Sequence, residues 1–125
     1  MQPLRIGVTF YPFSRFAQPE MLLDMVAWCE QLGFNHVHMG EHLIVPKEND
    51  KLDSFWWDTS CMFAALSQRT KRIRLVYGVV IVPLHNPIQL ARAVATVDQL
   101  SKGRVIMSCG VGWAKGEFEA AAEPL

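Results

Sequence analysis

The sequence carries no net charge: Lys and Arg number 12 and Asp and Glu number 12 across 125 residues. That removes the electrostatic case for a nucleic-acid partner or an anionic membrane surface. No apolar run approaches the ~20 residues of a membrane-spanning helix. The opening MQPLRIGVTF lacks a basic stretch followed by a long apolar one, so no secretory leader is read there. There are 3 cysteines, an odd number at wide spacing with no CxxC pair, which argues against a disulfide scaffold and a zinc ribbon. Cys29, Cys61 and Cys109 each sit in apolar segments and read as buried free thiols of a reducing cytoplasm. Low-complexity segments are missing too. What is there is 50% apolar, enough to close a core for one soluble domain.

Leu4–Phe10 is short, rich in branched residues and bounded by prolines, and predicts a first strand. Gln18-Pro19 opens a helix with the apolar stripe Met21, Leu22, Met25, Val26, Cys29 and Leu32, stopped by Gly33. Phe34–Met39 is a second strand, followed by GEHLIVP and a long connection over Lys47–Trp57. Asp58 caps a second helix with Met62, Ala65, Leu66 and Arg69 at helical spacing. Ile73–Val82 is a third strand. Asn86 then caps a third helix that has Pro87 first, Leu90, Ala91, Val94, Val97 and Leu100 as its stripe, and Gly103 as its end. Val105–Cys109 is a fourth strand, followed by GVGWAKGEFEAAAEPL. Continuously apolar strands alternating with capped helices imply an α/β fold with parallel pairing. Either an open doubly wound sheet or a (β/α)8 barrel fits. A barrel takes ~250 residues, so on that reading the chain holds only the first strands and helices, a half-barrel.

In both architectures chemistry belongs at the C-terminal ends of the strands, and the unusual residues fall there. His42 is a candidate proton donor or acceptor, against the competing reading of a hydrogen-bonded structural histidine; Glu41 beside it could tune it, although neighbours on a strand face opposite ways and need not enter one pocket. His36 and His38 share a strand face and, with His42 or Glu41, suggest a metal cluster of a barrel hydrolase; packing competes with that reading. Gly78 interrupts the apolar run YGVVIVPLHNP, which fits either a flat ligand lying on the main chain or crowding inside a barrel. The GVGW of residues 110–113 is too short for a dinucleotide fingerprint and is better read as room for a planar ligand at Gly110 and Gly112. Trp56 and Trp57 could wall a pocket or pack their loop onto the second helix.

Four segments carry a resemblance. LGFNHVHMGEHLIVP, WWDTSCMFAALSQRT, TKRIRLVYGVVIVPLHNPIQLARAVATVDQLSKGR and CGVGWAKGEFEA, in that order and over nearly the whole chain, resemble the luciferase-like monooxygenase superfamily of flavin- and deazaflavin-dependent (β/α)8 barrels. The resemblance implies that residues 1–125 are the N-terminal half of such a barrel. It implies a third-strand bulge with a non-prolyl cis peptide at Gly78–Val79 that backs the ring of FMN or coenzyme F420. It implies a catalytic role for His42 and cofactor contacts from Glu41, His42, Gly78, Val79, Gly110 and Gly112. Two departures stand out. Trp113 replaces the acid that deazaflavin sugar-phosphate dehydrogenases carry after this turn, and Cys109 sits one residue before the cysteine position of the luciferases. The ending GVGW…EF most resembles F420-dependent oxidoreductases, which implies hydride transfer on a small organic substrate. The alternatives are an FMN-dependent monooxygenase and a non-catalytic half-barrel that binds a flavin or another chain. Exposed edges of a half-barrel further imply association, as a homo-oligomer.

Overall fold

The computed structural model describes residues 4–45 and 53–121. Most of the Lys47–Trp57 connection therefore lies outside the described residues. The element order is β1 (Gly7–Thr9), α1 (Pro19–Gln31), β2 (His36–Met39), α2 (Thr59–Arg69), β3 (Arg74–Ile81), α3 (Pro87–Ser101), β4 (Val105–Gly110) and α4 (Lys115–Ala121), with short 3-10 turns at Phe13–Phe16 and Val82–Leu84.

The strands form one sheet in the order β1-β2-β3-β4, every neighbouring pair parallel. This order decides between the two architectures. A doubly wound sheet starts in the middle and reverses, whereas a barrel winds in one direction, each strand beside its predecessor. Helices α1, α2 and α3 accordingly lie on one face. Leu22 and Val26 of α1, Met62, Phe63 and Leu66 of α2, and Leu90 and Val97 of α3 form one core with Val37, Met39, Leu75, Tyr77 and Val80 of the sheet. The opposite, inner face carries Gly7, Thr9, His36, His38, Val76, Gly78, Ile106 and Ser108, as the register and the period of two require.

Local chemistry sets most boundaries. The Asp58 carboxylate accepts from the Cys61 amide, and the Asn86 side chain accepts from the amides of Ile88 and Gln89. Gly33, at φ 91°, ends α1 in the left-handed region, and the Phe34 amide reaches back to the Cys29 carbonyl. β1 is shorter than expected; among the described residues it pairs with β2 alone, and Leu4 and Ile6 are exposed. The buried face of α2 is Thr59, Met62, Phe63, Leu66 and Ser67, so Ala65 and Arg69 of the expected stripe point to solvent instead. The thiols also differ from expectation: Cys61 and Cys109 are exposed and only Cys29 is partly covered. Apolar neighbours in sequence do not set which way one residue on a helix or strand points. At the N-terminal end of the strands Arg104 donates to the carbonyls of Ser67, Ile73 and Thr70 and closes that end of the sheet.

Candidate active site at the strand ends

The site begins with an irregularity in β3. Its register against β4 slips between Gly78 and Val80, so one extra residue is inserted on β3. Without the slip, side chains would alternate strictly. With it, Tyr77 and Val80 both enter the helix-side core, at 2% and 1% exposure, while Gly78 and Val79 are left facing the strand ends and Val79 is 43% exposed. The Gly78–Val79 peptide is cis, as is Tyr11–Pro12.

A cavity of about 370 Å³ opens above this bulge, lined by Gly40, Glu41, His42, Trp56, Gly78, Val79, Ile81, Gly110, Val111, Gly112 and Trp113. The six residues expected from the sequence to touch a cofactor thus border one space. Its floor is largely main chain. A Cβ on Gly110 would lie 2.5 Å from Val79 Cγ2, and one on Gly40 would lie 2.9 Å from the Gly78 carbonyl oxygen. The ends of β2, β3 and β4 approach this closely because side chains are missing at those points. A second cavity of about 330 Å³, lined by Thr9, Tyr11, Phe13, His38, Gly40, Trp56 and Gly78, adjoins the first on the β1 side.

The vacancy at Gly78 is filled from the inner face. A Cβ built there would overlap the His38 imidazole, and one on Gly7 would overlap the ring of His36. The two inward histidines of β2 lie over glycines of the strands on either side. Crowding of the interior therefore accounts for Gly78 as directly as a ligand does. Among the described residues no group of three His, Cys, Asp or Glu is placed to hold a metal ion.

His42 and Glu41 are adjacent in sequence but belong to different networks. His42 Nδ1 lies 2.8 Å from Glu117 Oε2, and Glu117 Oε1 accepts from the Leu43 amide at 2.8 Å and the Ile44 amide at 3.4 Å. The ring is set edge-on to Trp56 and Trp113, with centroids 4.7 and 5.7 Å away. Glu41 does not meet His42. Its Oε1 accepts from the Ile81 amide at 2.7 Å and meets His85 Nε2 at 2.7 Å, so it ties β2 to the strand segment just past the bulge. The expectation that Glu41 tunes His42 is corrected on this point: successive side chains leave an extended chain in opposite directions, and the carboxylate partner comes from α4. No helix is expected in this tail from the sequence pattern. The signal available was the run KGEFEAAA, rich in helix formers, but nothing in it indicates a reach back of 75 residues.

Both tryptophans pack against the core, and Trp56 also walls the cavities. Trp56 donates to the Asp53 carbonyl at 2.6 Å and borders both cavities. Trp57 donates to the Phe16 carbonyl at 3.2 Å and packs against the core edge-on to Phe55. Beneath the site, Thr59 donates to the Gly40 carbonyl and Tyr77 meets Ser60; burial pushes the Tyr77 phenol up from its ordinary value.

This geometry has counterparts in known proteins. A family model described as luciferase-like monooxygenase matches residues 9–125. The chain is 36% identical over 90 residues to limonene 1,2-monooxygenase of Rhodococcus erythropolis, covering 72% of this chain and 22% of that protein. It is 30% identical over 101 residues to F420-dependent glucose-6-phosphate dehydrogenase of Amycolatopsis mediterranei, covering 80% of this chain and 29% of that one. Among solved structures, the oxygenating constituent of 3,6-diketocamphane monooxygenase of Pseudomonas putida, in complex with FMN, superposes with a TM-score of 0.82 at 17% identity, over 96% of this chain and 33% of that one. The chain thus spans about a fifth to a third of the length of such proteins. It belongs to the luciferase-like monooxygenase family, and its strands and helices are β/α units of a TIM barrel.

Proposed function

We propose that the cavity at the strand ends holds the ring system of a flavin or deazaflavin, and that the protein is an oxidoreductase acting on a small organic substrate, in the first reading by coenzyme F420-dependent hydride transfer. The observation that carries this is the bulge. It turns Gly78 and Val79 together toward the cavity, opposite Gly110 and Gly112, so a flat molecule meets main chain and one small side chain. The fit is tested by the glycines: a Cβ on Gly110 would run into Val79, and a Cβ on Gly112 would lie 2.7 Å from Ile81 Cγ2, raising or distorting the floor. A cavity of about 370 Å³ is also in the range of small-molecule sites.

In this reading Gly78, Val79, Gly110 and Gly112 would bed the ring, with Glu41 holding the bulge in place through the Ile81 amide. A bound deazaflavin would supply a hydride donor or acceptor, and a bound reduced flavin would supply activation of oxygen. His42, at the mouth of the same cavity, gives or takes a proton at the substrate. Trp56 and Trp113 flank its ring and keep water from it. The second reading, an FMN-dependent monooxygenase, is favoured by one observation: the limonene monooxygenase is the more similar of the two relatives, 36% against 30% identity.

Titration of the purified full-length protein with F420 and, separately, with FMN, followed by absorbance and fluorescence, tests the proposal. One of the two is expected to bind with a shifted ring spectrum, and Gly110→Val is expected to abolish that binding. Binding of neither would sink both readings.

A further inference from the structure

We infer that Glu117 is the positioning residue of His42: its buried carboxylate decides which ring nitrogen carries the proton and turns the other toward the cavity. Glu117 is 1% exposed and its side chain 0%. A carboxylate is held in such a place only when its oxygens are used, and here both are. Oε1 receives the amides of Leu43 and Ile44, and Oε2 faces His42 Nδ1 at 2.8 Å. The amides can only donate, so the orientation of the carboxylate is set by the backbone. An ionised carboxylate has no proton to give, so Nδ1 must be the donor. In the neutral ring Nε2 is then the bare acceptor.

The remaining geometry agrees. Nε2 of His42 has no hydrogen-bond partner among the described residues, none of which leaves a buried polar side-chain atom unpaired, so Nε2 opens onto the cavity that His42 borders. Trp56 and Trp113 restrict the ring from two sides, which leaves the tautomer as the variable that Glu117 controls. The neighbouring pair is built the other way round: His85 uses Nε2 on Glu41. Glu117 does not itself line the cavity and acts only through His42 and the loop that follows it.

The role of the tautomer in proton transfer rests on the reading proposed above; the tautomer itself does not. The test is a long-range 15N–1H correlation spectrum of the imidazoles in the full-length protein without cofactor, with the His42 signals identified by their loss in His42→Asn. Wild type is expected to show the Nδ1–H tautomer. Glu117→Gln keeps an oxygen for the two amides but offers an NH₂ group to Nδ1, and is expected to switch the ring to Nε2–H. Glu117→Asp, which keeps a carboxylate, is expected to retain Nδ1–H. An Nε2–H ring in the wild type overturns the inference whether or not the variants fold, as does a Glu117→Gln spectrum without the switch in a folded protein. With whichever cofactor binds, Glu117→Gln is expected to lower kcat on the order of 10²-fold with KM little changed; a protein that binds no cofactor loses only this last comparison. A purely structural Glu117 would show equal tautomers in both proteins.

Discussion

Replacing Gly78 by alanine separates two explanations of why β3 carries a glycine. The added Cβ would overlap Nε2, Cε1 and Cδ2 of His38, the outer edge of its ring, so the whole imidazole would have to move. His38 also borders the second cavity, so its ring has space on that side and the cost is that of turning it away from Gly78. Overpacking of this kind costs about 1–3 kcal/mol. For a chain of this size that corresponds to a fall in Tm of roughly 4 °C per kcal/mol. His38→Ala removes the obstruction. If His38 is why residue 78 is glycine, Gly78→Ala should cost little in the His38→Ala background, giving a coupling of about 1–2 kcal/mol in a double-mutant cycle read by urea unfolding of the full-length protein. Two substitutions whose effects add within ~0.5 kcal/mol would refute the packing argument. Cofactor titration of the same proteins reads the other explanation. If the main chain at Gly78 is also the ligand's bed, the double variant regains stability while its affinity for F420 or FMN stays below that of His38→Ala alone.

Other expectations can be checked in parallel. Glu41→Ala leaves the amide of Ile81, a residue only 4% exposed, without its acceptor and frees His85; unfolding should show a loss of about 1–3 kcal/mol and cofactor titration a weaker site. Gly112→Ala meets Ile81 and the Phe118 ring at 2.7–2.8 Å with φ at 76°, and should cost about 1–3 kcal/mol by the same assay and displace Trp113, read as a change in its fluorescence. Arg104→Ala removes four carbonyl contacts and one to the Thr70 hydroxyl at the opposite end of the sheet, so the unfolding free energy should fall by at least about 2 kcal/mol while cofactor affinity is unchanged in the folded protein. Burial pushes the Glu30 carboxyl up, but the amides of Ile73, Arg72 and Lys71 and the Arg72 charge outweigh it and hold the group below its ordinary value. Its stabilisation is therefore present above the unfolded value of about 4.3 and is lost as the pH falls through the folded one. Glu30→Gln should flatten the acid limb of a stability–pH curve, and parallel curves would contradict this.

How much of this could be read from the residues divides along the range of the interactions. Asp58, Asn86 and Gly33 act within one turn of where they stand, and the helix ends they predict are the ones found. Strand existence was equally local, because an apolar run between a cap and a glycine can do little else. The choice of barrel over doubly wound sheet was not local. It depends on which strand lies beside which, and β1 beside β2 is a fact of pairing that no run of residues states. The site shows the same division at finer scale. That His42, Gly78, Gly110 and Gly112 would share one rim follows from parallel strands alone, since their C-terminal ends must face the same way. That His42 would take Glu117 and leave Glu41 to His85 does not follow. Glu41 is next to His42 in sequence, and pairing the neighbours is the natural guess. The bulge at Gly78–Val80 draws the Ile81 amide to Glu41, and α4 folds its one fully buried acid back onto the loop after β2. Each acid goes where unpaired amides already wait, and the histidine follows the acid. A buried carboxylate is thus placed first by backbone donors, and its imidazole partner is whichever ring the fold then brings within reach.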